Sequence, residues 1–200
     1  CIDEMADFVG KKAEVSAVTE RAMRGEIEFV PALKARVALL KGLPVTIADE
    51  VIASRITLTP GAKTAIATMR KHGAYTCLVS GGFTIFTQRI AKMIGFDEER
   101  SNILGAAGGK LTGEVADPVF GRDAKRAALI ELRNRLKLRN LETMATGDGA
   151  NDLDMIGEAG LGVAYHAKPA VAEAAAARIE HGDLTALLYM QGYTRAEFAA

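Results

Sequence analysis

Thr146-Gly147-Asp148-Gly149-Ala150-Asn151-Asp152 is the stretch on which the reading of this sequence turns. It follows Glu142 to Thr146, which predicts a strand, and precedes a helix expected over Asn151–Ala159. The same strand–loop–helix pattern recurs on both sides of it. Tyr75 to Val79 predicts a strand, closed by Ser80-Gly81-Gly82 and followed by a helix over Phe83–Ile94. Leu161 to Tyr165 predicts another, followed by a helix over Pro169–Ala176 with proline near its start. Further helices are expected from Thr59-Pro60 to Lys71, over Arg122–Leu136 and over Leu184–Met190. Asn102–Ala107 and Lys110–Val115 flank Gly108-Gly109, a hairpin signal. Strands alternating with helices predict an α/β fold with a mostly parallel, doubly wound sheet. The tail after Gly192 is expected to be weakly held.

The first 56 residues have a different texture. Ile2, Met5, Ala6 and Val9 recur at helical spacing, with Gly10 as a stop. Val15, Val18 and Met23 mark a second helix, stopped at Gly25. Phe29, Leu33, Val37 and Leu40 mark a third, ended by Gly42 and Pro44, and Thr46 can cap a fourth through Arg55. The expected organisation is a small helical cap over 1–56 and an α/β core over 57–200. The chain opens on Cys1 in an already amphipathic segment and reads as the middle of a protein.

Composition narrows the function classes. Of 200 residues, 49% are hydrophobic and 25% charged, the balance of a folded globular chain. Lys and Arg number 25, as do Asp and Glu, so no basic excess points to nucleic acid. No uninterrupted apolar run is long enough to cross a membrane, and no basic start leads into an apolar stretch, so neither a membrane span nor a signal peptide is expected. The two cysteines, Cys1 and Cys77, make neither a disulfide framework nor a cysteine zinc site, which fits a reducing cytoplasm.

In doubly wound sheets ligands bind beyond the carboxyl ends of the strands. Two such ends carry chemistry. Ser80-Gly81-Gly82 offers a hydroxyl and a backbone that an anion can approach, and equally fits a tight turn capped by Ser80. Asp148, Asn151 and Asp152 gather oxygen ligands between a strand and a helix, which suits Mg²⁺, and alternatively fit an Asp/Asn/Gly turn. Lys125 and Arg36, each taken alone, read as surface charges. His72, His166 and His181 have no metal-ligand spacing and read as surface or loop residues.

Together, Ser80-Gly81-Gly82-Phe83, Lys125 and Gly147-Asp148-Gly149-Ala150-Asn151-Asp152 resemble the second, third and fourth motifs of the haloacid dehalogenase superfamily. The nearest likeness is to its phosphoserine phosphatase family. Cys1-Ile2-Asp3-Glu4, the segment from Phe29 to Val37, and Gly109-Lys110-Leu111-Thr112-Gly113 look like that family's cap and hairpin, so the likeness covers about residues 1–190. It implies that Ser80 and Gly81 hold phosphoryl oxygens and that Lys125 neutralises phosphate charge and steadies the nucleophile. It makes Asp148 a Mg²⁺ ligand, with Asp152 supporting the metal site from behind, and has Asn151 contact the substrate. Arg36 would bind the serine carboxylate, and Phe29 and Met23 would close over it.

The implied reaction is hydrolysis of phosphoserine, the last step of serine biosynthesis, in two steps through an aspartyl-phosphate. The family's first motif, Asp-x-Asp-x-Thr, is absent from these 200 residues and would lie just upstream of Cys1, with the first, central strand. As given, the chain is therefore expected to lack the nucleophile and the general acid/base. Two other readings stay open: a phosphatase or phosphotransferase acting on another small phosphate ester, and a non-catalytic module that binds a phospho-ligand.

Overall fold

The computed structural model describes residues 2–24 and 26–199. Cys1, the helix stop expected at Gly25, and the side chain of Met23 lie outside the described residues. The chain forms two compact units, each assembled from separate stretches.

The first unit comprises residues 1–57, 82–90 and 100–119. It holds four helices: α1 (Ile2–Phe8), α2 (Lys12–Met23), α3 (Phe29–Ala38) and α4 (Ile47–Arg55). It also holds a hairpin of β3 (Leu104–Ala107) and β4 (Lys110–Val115). The apolar stripes read from the sequence contribute to its core: Met5, Val15, Val37, Leu40 and Val51 are fully buried, and Leu111 and Val115 from the hairpin are buried with them. Burying such side chains contributes about 1.5–3 kcal/mol each. The hairpin pairs Ala107 with Lys110 and Ala106 with Leu111, as Gly108-Gly109 predicts. Its outer edge is extended by the segment after α3: the Gly42 N–H donates to the Leu111 carbonyl at 2.8 Å and the Val45 N–H to the Gly109 carbonyl at 3.0 Å. Gly113 has φ +83° and lies so close to α3 that a Cβ there would stand 2.9 Å from Lys41 Cβ.

The second unit comprises residues 58–81, 91–99 and 120–200. Its sheet is parallel, in the order β5 (Met144–Gly147), β6 (Leu161–Tyr165), β7 (Ala177–Ile179). Thr146 stands opposite Val163 and Gly147 opposite Ala164, so the ends of β5 and β6 lie side by side. The helices are α5 (Ala62–Lys71), α7 (Arg122–Arg135), α8 (Leu153–Glu158), α9 (Pro169–Ala174) and α10 (Ala186–Met190). Between β1 (Cys77–Phe83) and its sheet partner β2 (Glu98–Asn102) runs α6 (Thr84–Ile94). The parallel strands and their helices give the expected α/β class.

Several elements differ from expectation. β1 runs straight through Ser80-Gly81-Gly82 to the buried Phe83. Glycines alone do not end a strand whose last residue is anchored in a core. β2, with the sequence Glu-Glu-Arg-Ser-Asn, carries no period-two apolar pattern, and the Ala-Arg-Ile alternation of β7 is only three residues long; both are strands because a neighbour pairs with them. The helix expected from Pro60 begins at Ala62. The one expected from Asn151 opens with a 3₁₀ turn over Ala150–Asp152 and becomes α-helical only at Leu153. The tail is not loose: Tyr193 and Phe198 pack against the α5–α10 cluster, and the Ala199 N–H donates to the buried Thr68 hydroxyl at 2.8 Å.

Candidate active site

α7 buries Lys125, Ala128 and Leu132, a stripe at i, i+3 and i+7 in which the first member is a cation. Lys125 is only 5% exposed, and a charge so placed needs a partner. Asp152, equally buried, provides it: Lys125 Nζ donates to Oδ1 at 2.6 Å. The other oxygen, Oδ2, accepts the Gly149 N–H at 3.1 Å, so one carboxylate anchors the lysine and closes the Gly147–Gly149 loop. The loop tolerates no side chain at Gly147, where a Cβ would stand 2.5 Å from Asp152 Cβ and Cγ. Asp154, two residues on, is paired with Arg122, and that guanidinium holds its carboxyl below the usual carboxylate range.

Asp148 is the exception among these acids. Its side chain is exposed and has no hydrogen bond or ion pair among the described residues. It lines a cleft of about 350 Å³ with Thr59, Thr146, Gly147, Tyr165, His166 and Leu184. The Thr146 hydroxyl, one turn of loop away, is buried without a partner. A free carboxylate and an unsatisfied hydroxyl beside it are oxygen donors of the kind Mg²⁺ takes, provided waters and phosphate oxygens complete the set. Among the described residues no three His, Cys, Asp or Glu side chains cluster as a closed metal site. Asp148 thus offers a single carboxylate, exposed to solvent, at this cleft.

The strand ends also converge. A Cβ on Gly81, in β1, would lie 3.8 Å from Asn151 Nδ2, which brings the Ser80-Gly81 segment beside the Gly147–Asp152 loop. Of the residues singled out from the sequence, the structure thus gathers Gly81, Lys125, Asn151 and Asp152, with Ser80 next to Gly81 in β1 and Asp148 on the same loop. Arg36 belongs to the first unit. There it is half-buried on α3, its Nε donating to the Ala32 carbonyl at 3.3 Å and its Nη1 to the Thr19 hydroxyl at 3.4 Å. No carboxylate among the described residues pairs with it. Phe29, two turns earlier on α3, is 48% exposed.

The sequence reading missed the other side of the Asp148 cleft. His166 is a loop residue, as expected, but it sits at the carboxyl end of β6 with φ +44°, a conformation uncommon outside glycine. Its N–H donates to the Ile179 carbonyl at 2.8 Å, and its ring stacks on Tyr165 with centroids 4.2 Å apart. The strand-end rule, applied to Leu161–Tyr165 as well, would have found both.

Known proteins are similar to this chain. A family model for haloacid dehalogenase-like hydrolases matches residues 2–160. A phosphoserine phosphatase from Polaromonas sp. is 49% identical over 94% of this chain and 82% of its own length. A second, from Mycobacterium tuberculosis, is 43% identical over the whole chain, which spans only 48% of that protein. The solved structure of a substrate-bound phosphoserine phosphatase superposes with a TM-score of 0.84 at 39% identity, over 94% of this chain and 90% of that one. The matched range takes in the Ser80-Gly81, Lys125 and Gly147–Asp152 segments alike, and the chain belongs to the haloacid dehalogenase-like hydrolases and, within them, to the phosphoserine phosphatase family.

Proposed function

We propose that this chain carries the phosphate-, metal- and substrate-binding residues of a phosphoserine phosphatase, which hydrolyses O-phosphoserine to serine and phosphate. The observation that carries the reading is the buried Lys125–Asp152 pair at 2.6 Å, closing a loop that presents an uncommitted Asp148. Each group then has a task. Lys125 is held by Asp152 at one oxygen, leaving two ammonium hydrogens for the phosphoryl group or the nucleophile. Ser80 and the Gly81 backbone hold phosphoryl oxygens, and Asn151 contacts the substrate.

Asp148 would hold Mg²⁺, with Asp152 behind it; the ion when bound supplies positive charge against the transferring phosphoryl group. Arg36 takes the substrate carboxylate, for which a guanidinium fork is suited. The nucleophilic aspartate of the implied aspartyl-phosphate route is not among these 200 residues, and we place it outside them. The balanced charge, the two cysteines and the lack among the described residues of any helix long and apolar enough to cross a membrane support a cytoplasmic protein acting on a small molecule.

The test uses the full-length protein: phosphate release from phosphoserine should require Mg²⁺, and Asp148→Asn should abolish most of that activation. Wild-type Mg²⁺ dependence in the variant would remove Asp148 from the metal site. The 200-residue chain alone should release no phosphate, and turnover by it would contradict the placing of the nucleophile.

A further inference from the structure

We propose that Thr19, on α2, is a positioning residue that orients Arg36 for the carboxylate of the substrate; this rests on the reading of Arg36 given above. The Thr19 hydroxyl donates its one proton to the Val15 carbonyl at 3.0 Å, the back-bond that a helical threonine can make to the preceding turn. Its oxygen is therefore left as an acceptor only, and the Nη1 of Arg36 donates to it at 3.4 Å. A second acceptor, the Ala32 carbonyl on Arg36's own helix, takes the Nε proton at 3.3 Å.

The guanidinium is thus tied at two of its five N–H groups, and three are left, both on Nη2 included. With Nε engaged, an incoming carboxylate meets the Nη1–Nη2 end. The nature of the two acceptors matters as much as their position. Both are neutral, so Arg36 is oriented without being neutralised, unlike Arg122, Arg126 and Arg135, each of which holds a carboxylate. An orienting carboxylate at position 19 would compete with the substrate; a hydroxyl does not. Holding the long side chain in one geometry before binding also lowers the entropy lost when the ligand arrives.

The experiment compares kcat/KM for phosphoserine with kcat/KM for p-nitrophenyl phosphate, a phosphate ester with no carboxylate, in the full-length enzyme. Thr19→Val keeps the shape and removes the acceptor. It should raise KM for phosphoserine about 3- to 10-fold, as expected for one long hydrogen bond to a charged group, with kcat little changed, and lower the ratio of the two specificities by the same factor. Thr19→Ser should restore both, and Thr19→Asp should lower the ratio further than Thr19→Val. Equal losses on both substrates, or no rescue by serine, would reduce Thr19 to a packing role. An unchanged ratio in Thr19→Val beside a lowered one in Arg36→Ala would overturn this inference alone. An unchanged ratio in Arg36→Ala would overturn the carboxylate reading itself, and this inference with it.

Discussion

Lys125 and Arg36 are cations on helices whose inner faces are apolar, and they end in opposite states. Lys125 shares a buried stripe with Ala128 and Leu132, and its charge is met at 2.6 Å by Asp152. Arg36 is half-buried, held by a carbonyl and a hydroxyl, and meets no anion among the described residues. The first is a pair that the folded chain completes for itself. The second is oriented and left charged, which is the state a substrate carboxylate requires. Under the proposed function, the difference separates a cation that builds a site from one that would read a ligand, and the substitutions below press on that distinction.

The largest effect is expected at the buried pair. Lys125→Met leaves Asp152 as an uncompensated buried charge and should lower unfolding stability by about 3–5 kcal/mol, measured by denaturant titration. Adding Asp152→Leu should recover much of that loss while leaving the enzyme inactive. A mild loss in the single variant would mean that water reaches the pair and that Lys125 is closer to Arg36 in kind than the structure shows.

Gly147→Ala attacks the same pair from the backbone. The new Cβ would overlap Asp152 and push it off Lys125 and the Gly149 N–H, at a cost of about 1–3 kcal/mol. Mg²⁺ activation should weaken with it, since Asp148 is carried on the displaced loop. Retained stability and unchanged Mg²⁺ activation would show a loop able to give way.

The smallest effect concerns a pair between the two extremes. Asp97 accepts from the Thr76 N–H and hydroxyl at 2.9 and 2.8 Å and meets Arg70 at 2.7 Å. Burial pushes its pKa up, but the Thr76 bonds and Arg70 outweigh it, and the carboxyl is held below the usual range. A lowered folded pKa contributes stability above the unfolded value, and that stability is lost as pH falls through the folded one. Thermal unfolding should therefore show a steeper acid loss below about pH 4 in the wild type than in Asp97→Asn. Parallel curves would show that Asp97 is not among the carboxylates that set acid stability.

The sequence made the two strand-end loops, the Gly108-Gly109 hairpin and the four N-terminal helices visible, because each rests on local chemistry: apolar period, glycine, proline and caps. What it hid was set by partners far along the chain. Lys125 shows its buried place only as a member of an i, i+3, i+7 stripe, and its partner is 27 positions away. The Thr19–Arg36 bond spans 17 positions between two helices. β2 has a polar sequence and is a strand only because β1 pairs with it. Asp148 stood out as an acid at a strand end, but Thr59 and Leu184, neutral residues that line the same cleft, carry no signal of a binding site.

The division of labour between the two cations is tested most directly by Arg36→Ala in the full-length enzyme, assayed on phosphoserine and on p-nitrophenyl phosphate. The predicted loss in kcat/KM is about 1.5–3 kcal/mol on phosphoserine, the range for a hydrogen bond to a charged group, and much less on the ester without a carboxylate. Equal losses on both would show that Arg36 serves the phosphate or the fold, and would contradict its assignment to the substrate carboxylate.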